Sequence, residues 1–122
     1  MAYMVEHFDI GSDSMPTANE KPADALKNRR EWVLKKANEI VNGEREGQYG
    51  KPENNFQVIA DLWNSYLEAM TGRKSELMPS DIANMIVVLK IGRCTSGQYK
   101  EDNYIDICGY AAIAAELEEN GL

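Results

Sequence analysis

Residues Ser80 to Arg93 read SDIANMIVVLKIGR, and half of these fourteen side chains are large and aliphatic: Ile82, Met85, Ile86, Val87, Val88, Leu89 and Ile91. At 3.6 residues per turn they cover nearly the whole circumference of a helix. A helix of that kind sits in the middle of a bundle or at a subunit interface, because water would meet apolar surface on every other side. Ser80 is placed to cap it, so a helix is expected from Asp81 to about Arg93. It is shorter than the roughly 20 apolar residues a membrane span needs.

Neighbouring segments have the period of partner helices. After CTSGQYKE, the run EDNYIDICGYAAIAAE places Ile105, Cys108, Gly109, Ala112 and Ala115 on one face of a helix expected to be capped by Asp102 and to end near Asn120-Gly121. Before the central helix, Phe56, Ile59, Ala60, Trp63, Leu67 and Met70 form one apolar stripe, which Asn54 or Asn55 could cap and Thr71-Gly72 would end. Further back, Leu26, Val33, Ala37, Ile40 and Val41 recur at helical steps from Asp24 onward, with Trp32 beside them and Gly43 as the stop. The stretch GEREGQYGKP between these two helices holds three glycines and a proline and reads as a loop.

Four amphipathic helices with short polar connections predict an all-α protein, a four-helix bundle-like core with an extended N-terminal arm. The arm is residues 1–23, which carry Gly11, Pro16 and Pro22 and no helical period; residues 24–122 form the single helical domain. Tyr3, Val5, Phe8 and Ile10 would pack the arm against the body or a second subunit. The start, Met1 to Ile10, carries Glu6 and Asp9 and no basic cluster, so it does not read as a secretory leader.

The chain has 122 residues and a net charge of −7, which argues against general binding to nucleic-acid backbones. The charge is uneven. From Lys21 to Lys51 eight basic side chains face five acidic ones, whereas the remainder has five basic against fifteen acidic. An anionic ligand would be received most easily in the basic segment. His7 is the one histidine, and Cys94 and Cys108 form no metal-binding pattern, so zinc sites and histidine-based triads lack their parts. The cysteines read as reduced and buried, and any metal would be a hard cation held by carboxylates.

Several polar residues stand where caps and core do not explain them. Asp102, Asp106 and Tyr110 follow at steps of four on the last helix and share a stripe. Asp102 is explained as a cap; Asp106, sharing a turn with Ile105 and Cys108, is less so. Asp81 and Asn84 share a face at the start of the central helix, and Lys90 and Arg93 share another at its end. Cations near a helix C-terminus suit the dipole, yet these emerge from the most apolar helix, where they need a carboxylate such as Asp106 or a phosphate. In the glycine-rich loop, Arg45 could grip phosphate and Tyr49 could stack on a base, beside Glu39 and Glu44.

The blocks EIVNGEREGQYGKPENNFQVIADLW (Glu39 to Trp63), SDIANMIVVLKIGR and EDNYIDICGYAAIAAE resemble, in order, a family of small proteins encoded by phages and prophages. Some members of that family are described as similar to MazG-type nucleotide pyrophosphohydrolases, all-α enzymes that cut nucleoside triphosphates to monophosphate and pyrophosphate with magnesium. The resemblance implies Mg²⁺ on Glu39, Asp81, Asp102 and Asp106, with Glu39, Asp102 and Asp106 in catalysis. It implies Arg45, Tyr49, Lys90, Arg93 and Tyr110 as the binding set for a nucleotide or other phosphorylated small molecule. The EExxE motif of those enzymes is absent here, and Asp102 and Asp106 stand four apart where a Glu and an Asp three apart are usual. The expected function is therefore nucleotide handling in the cytoplasm of a bacterial host, in its fullest form a magnesium-dependent pyrophosphohydrolase. One alternative is a counter-defence protein that binds a host protein or sequesters a nucleotide signal, through the acidic arm and the tail Glu116, Glu118 and Glu119. A third is an interaction module that forms homo-oligomers through the arm and the apolar central helix.

Overall fold

The computed structural model describes residues 27–43 and 50–122. They form four helices, α1 (Arg29–Val41), α2 (Pro52–Thr71), α3 (Pro79–Cys94) and α4 (Glu101–Glu119), and no strand occurs among them. The all-α expectation holds. The arm and its boundary at residues 23 and 24 lie outside the described residues.

The helix starts differ from those expected because prolines and short caps intervene. Asn28 is extended and its Oδ1 accepts the Glu31 N–H at 3.0 Å, so α1 begins at Arg29; Asp24 lies outside the described residues. Pro52 and Pro79 occupy the first positions of α2 and α3, where a missing N–H is harmless and the fixed φ suits the helix. Each helix therefore starts ahead of the Asn or Ser expected to cap it. The Ser80 N–H instead donates to the Leu122 carbonyl at 3.2 Å. In α4 the cap position is Lys100, which places Glu101 and Asp102 in the first turn. Gly72 ends α2 with φ 68°, a left-handed conformation that glycine adopts at no steric cost.

α3 and α4 form the closest pair, an antiparallel hairpin with the start of α3 beside the C-terminal Leu122. α1 packs on α4 and α2 packs on α3, so the lateral order is α1, α4, α3, α2. The most apolar helix is thus an inner one, as its sequence requires. Ile82, Ala83 and Ile86 of α3 meet Tyr110, Ile113, Ala114 and Leu117 of α4, with Phe56 and Ala60 of α2 closing the cluster. Ile40 and Val41 of α1 pack against it from the other side. The buried stripe of α4 is not the expected row of small residues. Ile105 and Gly109 of that row are buried, but Ala112 and Ala115 are exposed, and the bulkier Tyr110, Ile113 and Leu117 are buried in their place. Burying large side chains removes more apolar area from water than burying alanines.

α2 runs past the start of α3. Its Asn64 stands level with Leu77, and the two further turns project about 10 Å beyond at 1.5 Å per residue. The connection returns along this overhang, held by Asn64, whose Oδ1 accepts from the Ser75 hydroxyl (2.7 Å) and the Leu77 N–H (2.8 Å). Its Nδ2 donates to the Leu77 carbonyl at 3.0 Å. Asn64→Ala removes all three bonds in a half-buried place, and a loss of about 1–3 kcal/mol is expected. Urea denaturation would show a lower midpoint with an unchanged slope.

The two cysteines are free, but Cys94 is exposed and only Cys108 is half-buried, so the expectation that both are buried fails for Cys94. It stands at the last position of α3, beyond the reach of the core. Burial pushes the Cys108 thiol above its ordinary value.

Candidate functional site at the polar end of the α3–α4 seam

The α3–α4 seam changes character along its length. From Pro79 to Ile86 on α3, and from Tyr110 to Leu117 on α4, it is filled mainly by apolar side chains. One turn nearer the connection, Lys90 Nζ lies 2.9 Å from Asp106 Oδ2, and both side chains are 0% exposed. Antiparallel packing sets Arg93 and Asp102 in the next turn of the same seam, and both are half-buried. Buried Asn103 and Glu101 complete this polar end. The chemistry-bearing residues of two helices are thereby gathered by register, since steps of three and four return each helix to one face.

The buried pair has an energetic meaning. Taking a carboxylate and an ammonium out of water costs several kcal/mol each, and their attraction in the interior roughly repays it. Replacing such a pair by well-packed apolar side chains of similar volume is often neutral or stabilising. The pair therefore contributes specific register and a charged group of defined position, more than net stability.

α1 is fastened to the same end. Glu101 Oε2 accepts from Arg29 Nη1 at 2.6 Å, and its Oε1 accepts from the Trp32 indole N–H at 2.9 Å. Lys36 lies 5.7 Å from the centroid of the Trp32 ring, a cation–π contact that continues the cluster along α1. Sequence reasoning misses Glu101 because it stands beside Asp102, which reads as the cap. The signal for it lies in Trp32, whose indole N–H requires an acceptor when the ring is packed.

The other expected site residues are placed as follows. Asp81 stands at the opposite end of α3, nine residues or about 13 Å along the axis from Lys90, and its Oδ2 accepts the Met78 N–H at 2.8 Å. Glu39 lies on the exposed side of α1, with Lys35 at 3.9 Å and Lys36 at 4.0 Å. Tyr110 is wholly buried and its ring faces Phe56 at a centroid distance of 6.2 Å, which makes it part of the core rather than an open stacking platform. Arg45 and Tyr49 lie outside the described residues. The structure pairs Lys90 with Asp106, carries the half-buried Arg93 and Asp102 one turn further along the same two helices, and sets Asp81 at the far end of α3. Among the described residues no group of three or more His, Cys, Asp or Glu could hold a metal ion, so the four-carboxylate magnesium site does not assemble there.

Comparison with known proteins joins this chain to others through the same helices. Residues 32–118 match a domain of unknown function, DUF6378. The chain belongs to that family. It is 36% identical over 86 residues to the Gene 55 protein of Mycobacterium phage L5, and 35% identical over 89 residues to the Gene 55 protein of Mycobacterium phage D29. These segments take in 70% and 73% of this chain but 52% and 55% of the two phage proteins, so the chain spans about half the length of the curated relatives it matches. No solved structure matches it. The match begins at Trp32 and ends one residue after Leu117, so it contains the whole polar end of the seam except Arg29. The phage-encoded family expected from the three sequence blocks is thereby found. No helix among the described residues is long and apolar enough to cross a membrane.

Proposed function

We propose that this chain handles nucleotides, binding a phosphorylated small molecule at the polar end of the α3–α4 seam. The observation that supports the reading is the buried Lys90–Asp106 pair with Arg93 and Asp102 one turn above it. Arg93 sits at the half-buried rim, and a guanidinium offers two parallel N–H donors that match phosphate oxygens. Lys90 and Asp106 lie beneath as positioning residues that fix the register of α3 against α4.

The fuller form of the reading is magnesium-dependent release of pyrophosphate from a nucleoside triphosphate. Magnesium is satisfied by one or two protein carboxylates together with phosphate oxygens and retained water. Asp102 is the carboxylate at the rim, and the remaining ligands would come with the nucleotide, since the described residues supply no complete cage. The binding step therefore stands apart from hydrolysis.

Calorimetric titration of the full chain with nucleoside mono-, di- and triphosphates, with and without Mg²⁺, tests the binding step. Saturable binding by the wild type is expected, with Arg93→Ala weaker by at least about tenfold, the worth of one charge-assisted phosphate contact. Absence of binding to every nucleotide would sink the reading. Pyrophosphate release measured on the same panel separates an enzyme from a protein that only binds.

A further inference from the structure

We propose that the paired rings of Tyr99 and Tyr104 form the shelf on which the base of a nucleotide stacks, beside the phosphate contact at Arg93. This inference rests on the nucleotide reading and names the part of the ligand that the polar seam leaves unread. The two ring centroids are 6.0 Å apart and their planes are tilted by 31°. Tyr99 is 70% exposed and Tyr104 46% exposed. The rings of Phe56 and Tyr110, by contrast, are wholly buried in the core.

Local structure sets the pair at the polar end of the seam. Tyr99 closes the α3–α4 connection, Lys100 is the cap position of α4, and Tyr104 stands one turn inside, so the two rings occupy the positions of a hydrophobic staple. A staple fixes the path of the chain into the helix, but it asks only for apolar contact, which two aliphatic side chains supply with less ring surface left in water. The Tyr104 hydroxyl donates to the Cys94 sulfur, and that bond holds the phenol above its ordinary pKa. Cys94 follows Arg93 at the end of α3, so Tyr104 is tied to the turn that carries the guanidinium. The connection is ordered by its own bonds, with the Thr95 hydroxyl donating to the Gly92 carbonyl at 2.7 Å and the Ser96 N–H to the Arg93 carbonyl at 3.4 Å. Tyrosine suits such a half-open place, because its ring offers apolar area while its hydroxyl keeps a partner. Every base has a π face, so a shelf of this kind selects a base over none and is tolerant among bases.

Calorimetric titration of the full chain with ATP, CTP and inorganic tripolyphosphate, each with Mg²⁺, tests it. ATP and CTP are expected to bind at least about fivefold more tightly than tripolyphosphate, the lower end of the worth of one stacked base. Tyr99→Ala, at a position already largely in water, should keep the helical circular dichroism, remove that advantage and leave tripolyphosphate binding unchanged. Tyr99→Phe should retain the advantage, because the ring and not the hydroxyl stacks. Equal affinity of the wild type for nucleotide and tripolyphosphate, or a Tyr99→Ala variant that keeps the nucleotide advantage, would overturn the shelf and leave the phosphate site standing. Failure of all three compounds to bind would instead remove the nucleotide reading, and the shelf with it.

Discussion

Asp106→Ala is expected to lower the thermal midpoint by roughly ten degrees or more. Lys90 would be left charged in a place with no access to water, and removing one partner of a buried pair costs about 3–5 kcal/mol. The companion variant, Lys90→Met with Asp106→Leu, removes both charges and fills the space with apolar groups of similar volume. It is expected to recover about half or more of the loss, because the pair repays little more than its own desolvation. Both side chains touch further groups of the chain, which keeps the recovery short of complete. Thermal denaturation followed by circular dichroism of the wild type, Lys90→Met, Asp106→Leu and the double variant measures the four members of this cycle. Losses that simply add in the double variant would show that the two charges are not coupled.

Phe56→Ala is expected to cost about 3–5 kcal/mol, the usual range for deleting a fully buried ring. Its importance comes from the order of the helices. α2 is held against the hairpin chiefly along α3, and its wholly buried side chains are Phe56 and Ala60. Phe56 is the large one of the two and reaches across α3 to the Tyr110 ring of α4. The cavity left behind would loosen the first half of α2 while Asn64 still held its second half. Hydrogen exchange in Phe56→Ala should therefore rise more at residues 52–60 than at residues 64–71. Uniform exchange along α2 would show that the helix docks as one unit.

The existence and order of the helices were legible in the sequence, because each carries a stripe that recurs at three and four residues. The central position of α3 was legible for the same reason, since SDIANMIVVLKIGR has no face that suits water. Helix starts were less so, as Pro52 and Pro79 begin their helices ahead of the polar residues expected to cap them. The face of α4 was read correctly at Ile105 and Gly109 but misread beyond them, because the small Ala112 and Ala115 suggest close packing whereas the burial of Ile113 and Leu117 decides the rotation. Asp106 and Lys90 were recognisable as charges out of place, and their pairing follows from an antiparallel register that no single helix contains. Asp81 looked equivalent to Asp106 because spacing along one helix says nothing about which end meets a partner. Met70 was read into the apolar stripe of α2 by its spacing alone, yet it lies on the overhang beyond the start of α3 and is exposed.

The proposed binding of a phosphorylated ligand at the polar end of the α3–α4 seam is tested by the thermal midpoint of the wild type and of the Lys90→Met, Asp106→Leu double variant, each with and without a saturating nucleoside triphosphate and Mg²⁺. Ligand at a hundredfold excess over its dissociation constant stabilises by about 2.7 kcal/mol, a rise of several degrees. The expected result is that rise in the wild type and none in a double variant that still unfolds cooperatively. A wild type that does not respond to any nucleotide, or a double variant that responds equally, would contradict the claim.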